Sequence, residues 1–513
     1  MKLNRRQMLQ TMGGACSALA LSRTAMARAA MQDAGFEGTR ASLAAYRIPE
    51  WFRDAKFGIW SHWGPQSAIE AGDWYARNMY MQDTEQYRYH VETYGHPTKV
   101  GYKDLVNDWK AAKWDPDHLM SLYKKAGAKY FFSMGVHHDN FDLWNSKYNR
   151  WNAVNMGPRR DILGEWQKAA RKQGLRFGVS EHLWISYKWF ATSHGADKTG
   201  PLAGVKYDGA DPKFDDLYHD ADCERLVDHF EWNDNDIPDS WKKHYLDRMT
   251  DLIDKYQPDL LYTDGHLPFE EYGMKMVAHL YNVSAQLHGG VTEAVYNSKL
   301  ETDCAIGTCL LDHERGVSDA ISANPWQTDT CIGQWHYKRG QKYKTAKKVI
   351  DLLTDIVSKN GNLLLNFPLP NSGELDWEEA QVLDGITKWM DVNSEGIYAS
   401  RPWKIYGEGP STQVAIKAGG FNEDKRGDFT SEDVRFTTKG TTLYAFVQGW
   451  PGKEAVVKAL GSDSPQQPGR IQNVSLLGVK GSVTWAQEAG ALRVQMPAEK
   501  LSDIGITLKV ELA

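Results

Sequence analysis

Residues 130–144 read Tyr130-Phe-Phe-Ser-Met-Gly-Val-His137-His138-Asp139-Asn140-Phe-Asp-Leu-Trp144. An apolar run typical of a buried strand ends abruptly in two imidazoles, a carboxylate and an amide. Strands that present polar side chains at their carboxyl ends build the active sites of (β/α)8 barrels. Imidazoles and carboxylates bond hydroxyl groups, and an indole face covers the apolar side of a sugar ring. The stretch therefore predicts a barrel strand that opens onto a site for a hydroxyl-rich ligand.

Three further apolar runs end in the same way, at His62, at Glu181-His182 and at Asp264. Between residues 45 and 398 such runs alternate with segments of helical periodicity, which predicts a parallel α/β fold. We expect a (β/α)8-like barrel over 45–398. Residues 402–513 instead contain short alternating strands separated by turn residues, which predicts a C-terminal antiparallel β-sandwich domain.

Length and composition agree with two folded domains and limit the partners. The chain has 513 residues, more than one hydrophobic core normally serves. Its net charge of −6 and pI near 6.3 give no reason to expect nucleic acid or an anionic membrane as a partner. The 20 tryptophans favour a protein that stacks aromatic rings on its ligand. The sequence leaves the oligomeric state open.

The first 29 residues have the features of an export signal. Arg5 and Arg6 precede an uncharged segment, residues 8–22, and small residues follow around Ala27. The apolar run is too short to span a bilayer comfortably. We expect residues 1–29 to be a twin-arginine signal, and the mature protein to be soluble, free of the membrane, and periplasmic or secreted.

The cysteines show no zinc-like spacing, so we expect no structural metal and no cofactor. An oxidising compartment would permit a disulfide such as Cys304–Cys309. Buried thiols, in a protein exported already folded, explain the same residues equally well. The sequence does not decide between the two.

Cleavage of a glycosidic bond requires two carboxyl groups, one to attack or to activate water and one to protonate the leaving oxygen. Asp264 ends an apolar strand, where a carboxylate is costly unless it is partnered or functional. An aspartate at this place also commonly caps the next helix. Glu293, Glu301 and Glu314 are candidates for the second carboxyl group, and local reasoning does not choose between them.

Many blocks of the chain, in order from about residue 47 to 410, resemble family 29 of the glycoside hydrolases, the α-L-fucosidases. The blocks include Asp54–Trp63, Asp73–Tyr80, His137–Asp161, Lys255–Leu261, Val357–Asn366 and Glu395–Pro410. The resemblance implies that Asp264 is the nucleophile and that Glu314, ahead of Pro325-Trp326, is the acid/base. It also implies that His62, Trp74, His137 and His138 contact the fucosyl residue.

Three positions need separate interpretation. Lys299 follows an asparagine and a serine where relatives commonly carry an arginine, and lysine cannot reproduce a planar bidentate fork. His182 stands where many relatives have a tyrosine, so we expect it to replace an aromatic sugar contact. Trp326 is either a further sugar contact or a core residue. The paired histidines have no third ligand at a recognisable metal spacing, so we expect sugar contact and not metal binding.

The sequence therefore predicts a retaining, exo-acting α-L-fucosidase that acts on fucosylated oligosaccharides or glycoconjugates without a cofactor. Two alternatives stay open. One is a glycosidase with the same mechanism that acts on an α-L-galactoside-like sugar. The other is a non-catalytic glycan-binding protein on the same barrel.

Overall fold

The computed structural model describes residues 35–304, 307–425 and 427–513. The predicted export signal, residues 1–29, lies outside these ranges. Within them, no helix combines the length and the apolar character needed to cross a membrane.

Eight parallel strands form the predicted barrel. They pair in the order β6-β5-β4-β3-β2-β1-β8-β7, and a parallel bridge between Asp312 and Gln327 connects the two ends of this sheet. Every polar cluster predicted at a strand end follows a carboxyl terminus, so all of them lie on one face of the barrel. The strands are β1 Phe57–Ser61, β2 Tyr130–Val136, β3 Arg176–Glu181, β4 Leu260–Thr263, β5 Val295–Ser298, β6 Leu310–Leu311, β7 Trp326–Cys331 and β8 Gly361–Asn366.

Helices connect the strands and begin where the sequence places capping residues. Asp115 accepts a hydrogen bond from the His118 amide at the start of one helix, and Asp161 caps another in the same way. The helices are α1 Arg40–Leu43, α2 Glu50–Ala55, α3 Tyr75–Asn78, α4 Glu85–Thr93, α5 Tyr102–Leu105, α6 Pro116–Lys125, α7 Ile162–Lys172, α8 Ser186–Trp189, α9 Asp215–Tyr218, α10 Asp239–Tyr256, α11 Glu271–Leu287, α12 Glu301–Cys304, α13 Ala346–Ser358 and α14 Trp377–Asn393.

Aromatic side chains fill the barrel below the site. The Trp60 ring lies 5.3 Å from that of Tyr262 and 6.5 Å from that of Phe132, centroid to centroid. Glycine makes room for these rings, since a Cβ atom on Gly178 would lie 2.8 Å from the Phe132 ring. The packed rings close the barrel, so the site above them is a pocket and not a channel.

The C-terminal part contains the predicted antiparallel strands in two sheets, in the orders β13-β16-β11-β10-β9 and β12-β15-β14. Val434 and Phe436 of one sheet share a hydrophobic core with Val457 and Val494 of the other, as in a sandwich. The strands are β9 Arg401–Glu408, β10 Val434–Lys439, β11 Thr442–Val447, β12 Glu454–Val457, β13 Ile471–Leu476, β14 Trp485–Gln487, β15 Leu492–Gln495 and β16 Ile506–Leu512.

The structure decides the cysteine question that the sequence left open. Cys304 and Cys309 form a disulfide that closes the connection between β5 and β6. Cys223 and Cys331 are free and buried. Lys299 lies in the same connection, between the end of β5 and the disulfide.

Candidate active site

The polar strand ends meet around a cavity of about 810 Å³. Aromatic rings form much of its wall, and imidazole and carboxylate groups lie among them. Of the eight residues assigned to the site from sequence, six line this cavity: His62, Trp74, His137, His182, Asp264 and Glu314. Other lining residues are Trp60, Asp73, Trp184, Trp232, His266, Lys299, Leu300, Arg315, Asp329, Trp335 and Phe421.

One lysine connects the two predicted catalytic carboxyl groups. The Lys299 Nζ atom donates to Asp264 Oδ1 and to Glu314 Oε2, each at 2.5 Å. The two oxygens are therefore no more than about 5 Å apart, which is close to the separation of roughly 5–5.5 Å found in retaining glycosidases. Glu314 alone of the three candidate glutamates is in this position. Glu293 pairs with Arg176 at the start of β3, and Glu301 is exposed on α12.

Two histidines face the other oxygen of Asp264. His182 Nδ1 lies 3.1 Å and His138 Nε2 lies 3.3 Å from Asp264 Oδ2. His138 Nδ1 donates to the His182 carbonyl at 2.6 Å, which fixes the His138 ring. The Trp184 indole N–H donates to the Asp264 carbonyl at 2.7 Å. His138 thus supports the carboxylate from behind and does not line the cavity, and His182 contacts the carboxylate as well as the cavity.

The charges around the two carboxyl groups separate their protonation states. Burial alone would raise the pKa of Asp264, but the Lys299 ammonium and the His182 and His138 rings hold this pKa well below its usual range. Burial raises the pKa of Glu314, and the nearby Asp264 carboxylate adds to this effect against the opposing Lys299. Asp264 is therefore ionised under conditions in which Glu314 keeps its proton.

A second pair of carboxyl groups lies beneath Glu314. Burial and the adjacent Asp312 raise the pKa of Asp329 well above its usual range, which favours the protonated form of Asp329. Asp312 also accepts from Gln327 Nε2 at 2.7 Å, and Asp329 accepts from the Tyr262 hydroxyl at 3.2 Å. With Asp329 protonated, the pair adds less negative charge to the site than two carboxylates would.

Elsewhere in the wall of the cavity, Gln66 fixes the tautomer of His137. The Gln66 side-chain carbonyl accepts from the Ala76 amide at 3.3 Å, so its NH₂ group is the one that lies 2.9 Å from His137 Nδ1. Burial lowers the pKa of His137 well below its ordinary value, and its neutral ring must then carry its proton on Nε2. His137 therefore offers an N–H donor to the cavity, as hydroxyl recognition requires.

The neighbouring His62 offers further polar atoms. Both of its ring nitrogens are buried and have no hydrogen-bond partner within the described part of the chain. Burial lowers its pKa well below the ordinary value, so the ring is neutral. His336 Nδ1 donates to Asp73 Oδ1 at 2.7 Å and fixes that carboxylate beside His62. A buried polar group without a partner normally bonds to a ligand or to water.

The sequence predicted that the paired histidines have no third metal ligand near them, and the structure shows that this prediction is wrong. Ligand atoms of His62, Asp73, His137 and His336 lie within 4.8 Å of one another, and those of His137, His138 and His182 form a second such group. The hydrogen bond of His137, which belongs to both groups, does not fit a metal. His137 Nε2 carries a proton, and coordination through it would break the Gln66 contact. Hydroxyl recognition uses the groups as they stand.

The structure does not bring Trp326 to the cavity. Trp326 is the first residue of β7 and pairs with Gly361, the first residue of β8, at the amino ends of the strands. It is 2% exposed, and its indole N–H donates to the Lys359 carbonyl at 3.0 Å. Of the two interpretations of this residue, the structure supports the core residue. Trp74 lines the cavity, with its ring 5.8 Å from that of Trp232.

Several lining residues were not assigned from sequence. Asp73 directly precedes Trp74 in a block that was recognised, so adjacency could have indicated it. Asp329 lies in an apolar strand, where a carboxylate is unusual. Trp232 lies in a long loop, and Phe421 belongs to the segment between β9 and β10, so no local pattern connects either residue to the barrel.

A cavity at the carboxyl face of a closed barrel, with one ionised and one protonated carboxyl group joined by a lysine, is the arrangement of a glycoside hydrolase that uses two carboxyl groups. The sequence profile described as Alpha-L-fucosidase matches residues 24–395, and that of the Alpha-L-fucosidase C-terminal domain matches residues 426–511. The chain belongs to the α-L-fucosidase family of glycoside hydrolases.

Individual relatives agree. The chain is 26% identical to the tissue alpha-L-fucosidase of Rattus norvegicus over 460 residues, which cover 87% of this chain and 85% of that protein. It is 25% identical to the plasma alpha-L-fucosidase of Homo sapiens over 476 residues, or 90% and 88% of the two chains. The crystal structure of Thermotoga maritima alpha-fucosidase with a mechanism-based inhibitor has the same fold, with a TM-score of 0.71, 24% identity and coverage of 93% and 100%.

Proposed function

We propose that this protein is an exo-acting α-L-fucosidase that removes terminal α-L-fucosyl residues from glycans with retention of configuration. The observation that carries the proposal is the Lys299 bridge, which holds an oxygen of Asp264 and an oxygen of Glu314 within about 5 Å of each other and so supports double displacement. The cavity is closed below by the aromatic barrel core, which gives a bound sugar a floor and leaves no path through the barrel.

In the first step, the ionised Asp264 attacks the anomeric carbon while the bond from that carbon to the leaving oxygen breaks. Glu314 gives its proton to that oxygen, and a glycosyl-enzyme ester forms. In the second step, Glu314 takes a proton from water as the water attacks the same carbon. The Asp264 carboxylate leaves, and the free sugar keeps its original configuration.

The other residues of the cavity recognise the sugar. The N–H donor of His137 and the unpartnered ring nitrogens of His62 bond to its hydroxyl groups, and Trp74 covers an apolar face. His138 and His182 keep Asp264 charged and oriented. Replacing His137 should weaken transition-state binding severely and leave the covalent route intact, whereas replacing His138 should act on Asp264 itself.

Lys299 is adapted to a task that differs from that of a planar guanidinium. Its ammonium group is a point charge with three donors, and it bonds to both carboxyl groups at once. Asp264 loses its charge when it forms the ester. The Lys299 ammonium group then interacts mainly with Glu314, which must act as a base in the second step. The lysine thus stabilises the negative charge of Asp264 before the ester forms and that of Glu314 when it acts as a base.

We further propose that the protein acts outside the cytoplasm, in the periplasm or as a secreted enzyme. Arg5 and Arg6 before an uncharged segment support export, and the Cys304–Cys309 disulfide supports an oxidising compartment. The substrate is then a fucosylated oligosaccharide or glycoconjugate that reaches this compartment.

The test is release of free fucose from an aryl α-L-fucoside by the purified protein, with the aryl α-L-galactoside measured beside it. We expect fucoside hydrolysis in the wild type and its loss in Asp264→Ala. Equal or faster galactoside hydrolysis would show that the galactoside alternative is correct. Binding of fucose in calorimetry without any turnover would show a glycan-binding protein instead.

A further inference from the structure

A segment of the C-terminal part reaches the loop that carries Glu314. This segment, residues 414–425, lies between β9 and β10 of the antiparallel sheet. The Phe421 amide donates to the Glu314 carbonyl at 2.8 Å, and the amides of Asn422 and Glu423 both donate to the Arg315 carbonyl at 3.1 Å. These bonds span more than a hundred residues of sequence, and they connect the two parts of the chain at the candidate acid/base.

Side chains make the contact rigid. Glu423 is 7% exposed, and its carboxylate lies 2.9 Å from Arg315 Nε and 3.0 Å from Lys344 Nζ. It also accepts from the Thr330 hydroxyl at 2.6 Å. Buried carboxylates with this many charged partners do not exchange readily with water. The segment therefore has a fixed position against the loop of Glu314.

This position places an aromatic ring at the rim of the cavity. Phe421 adopts a φ of 53° and lines the cavity, yet the residue is 65% exposed. Trp232, another lining residue, is 50% exposed. Large rings are normally more buried, and an exposed ring beside a polar pocket is typical of a binding surface.

We propose that Phe421 is a platform for the sugar next to the fucosyl residue, so that the C-terminal part of the chain supplies a leaving-group subsite. The inference rests on the proposed function. Glu314 protonates the oxygen that joins the two sugars, so the second sugar must lie beside Glu314. The Phe421 backbone bonds to Glu314, and its ring extends from that point.

The chemistry of the rim indicates the class of leaving group. A phenyl ring packs against the apolar C–H face of a pyranose. Arg315, the arginine that lines the cavity next to Glu314 in the chain, already pairs with Glu423 and is not free to hold an acidic sugar. The subsite therefore fits a neutral hexose, and it favours oligosaccharides over fucosides that lack a ring in the leaving group.

The test compares Phe421→Ala with the wild type on two substrates. One is a neutral fucosyl-hexose disaccharide, and the other is methyl α-L-fucoside, which needs the same proton from Glu314 but has no second ring. We expect kcat/KM to fall about tenfold for the disaccharide and to change by less than about twofold for the methyl fucoside. Phe421→Tyr should restore the disaccharide rate. The replaced side chain is largely exposed, so the variant should fold.

Trp377→Ala is the control, because Trp377 is 74% exposed and does not line the cavity, and it should change neither rate. An equal loss of kcat/KM on both substrates would show that Phe421 acts on the Glu314 loop, and it would contradict the proposal that Phe421 is a platform for the second sugar. Unchanged disaccharide hydrolysis would also overturn it. A wild type that releases fucose from neither substrate would instead contradict the proposed function.

Discussion

The Lys299 ammonium donates to the Asp264 carboxylate at 2.5 Å from a site that is only 17% exposed. In such surroundings the attraction between unit charges is much stronger than in water. Lys299 bonds to one oxygen of Asp264, and His182 and His138 lie at the other oxygen. The lysine is therefore the residue on which the ionisation of the candidate nucleophile depends most.

Replacing Lys299 with methionine should lower kcat/KM for an aryl α-L-fucoside by about 100-fold. Loss of the cation raises the pKa of Asp264, so the acidic limb of the pH profile should move to higher pH. Lys299→Arg keeps the charge and should recover a part of the rate, with the acidic limb near that of the wild type. Identical profiles in Lys299→Met and the wild type would show that the bridge does not control Asp264.

The pH dependence of kcat/KM in the wild type should be bell-shaped and broad. Activity falls when Asp264 becomes protonated, and Lys299 and the two histidines lower its pKa, so this limb should lie below the ordinary aspartate value of about 3.9. Activity falls again when Glu314 loses its proton, and burial raises its pKa, so this limb should lie above about 4.3. The measurement is kcat/KM from pH about 3 to 9. An acidic limb above the ordinary aspartate value would contradict the assignment.

Glu423→Ala should lower the free energy of unfolding by about 3 kcal/mol, because it leaves Arg315 and Lys344 without their buried partner. Burial opposes ionisation of Glu423, yet Lys344, Thr330 and Arg315 lower its pKa. A lowered pKa contributes stability at neutral pH that is lost as pH falls through the folded-state value. The difference in the free energy of unfolding between the variant and the wild type should therefore become smaller at acidic pH. Urea unfolding measures this difference in free energy, and Glu432→Ala is the control because Glu432 is exposed.

Removing the disulfide with Cys304→Ser and Cys309→Ser should cost about 2 kcal/mol of stability, as expected for a short closed loop. The bridge closes the connection that carries Lys299, but Lys299 also has a backbone bond to the Gly265 carbonyl at 2.8 Å. We therefore expect kcat/KM at room temperature to change by less than about threefold. A loss of activity as large as that of Lys299→Met would show that the bridge positions the lysine.

The sequence predicted the barrel and most of its catalytic face because those signals are local. Apolar strands that end in His62, His137, His182 and Asp264 mark the carboxyl ends of β1 to β4, and the barrel brings such ends together. Trp326 remained ambiguous for the same reason. A tryptophan in a strand gives no sign of which end of that strand it occupies, and it lies at the amino end, opposite the cavity.

Other parts of the site depend on contacts that no local pattern shows. Lys299 was noticed as a departure from relatives, but its bridge to both carboxyl groups is a property of three loops in space. The raised pKa of Asp329 beside Asp312 depends on the neighbouring positions of β6 and β7. Phe421 reaches Glu314 across more than a hundred residues, and its own surroundings in sequence are those of an ordinary loop.

The most direct test of the central claim is the stereochemistry of azide rescue. Asp264→Gly should lose nearly all hydrolysis of an aryl α-L-fucoside, and added azide should partly restore turnover and give the inverted β-L-fucosyl azide. Glu314→Ala with azide and an activated aryl fucoside should give the retained α-L-fucosyl azide, because the glycosyl-enzyme still forms on Asp264. NMR of the two products assigns both roles. Wild-type turnover in Asp264→Gly without azide, or a retained product from that variant, would contradict the account.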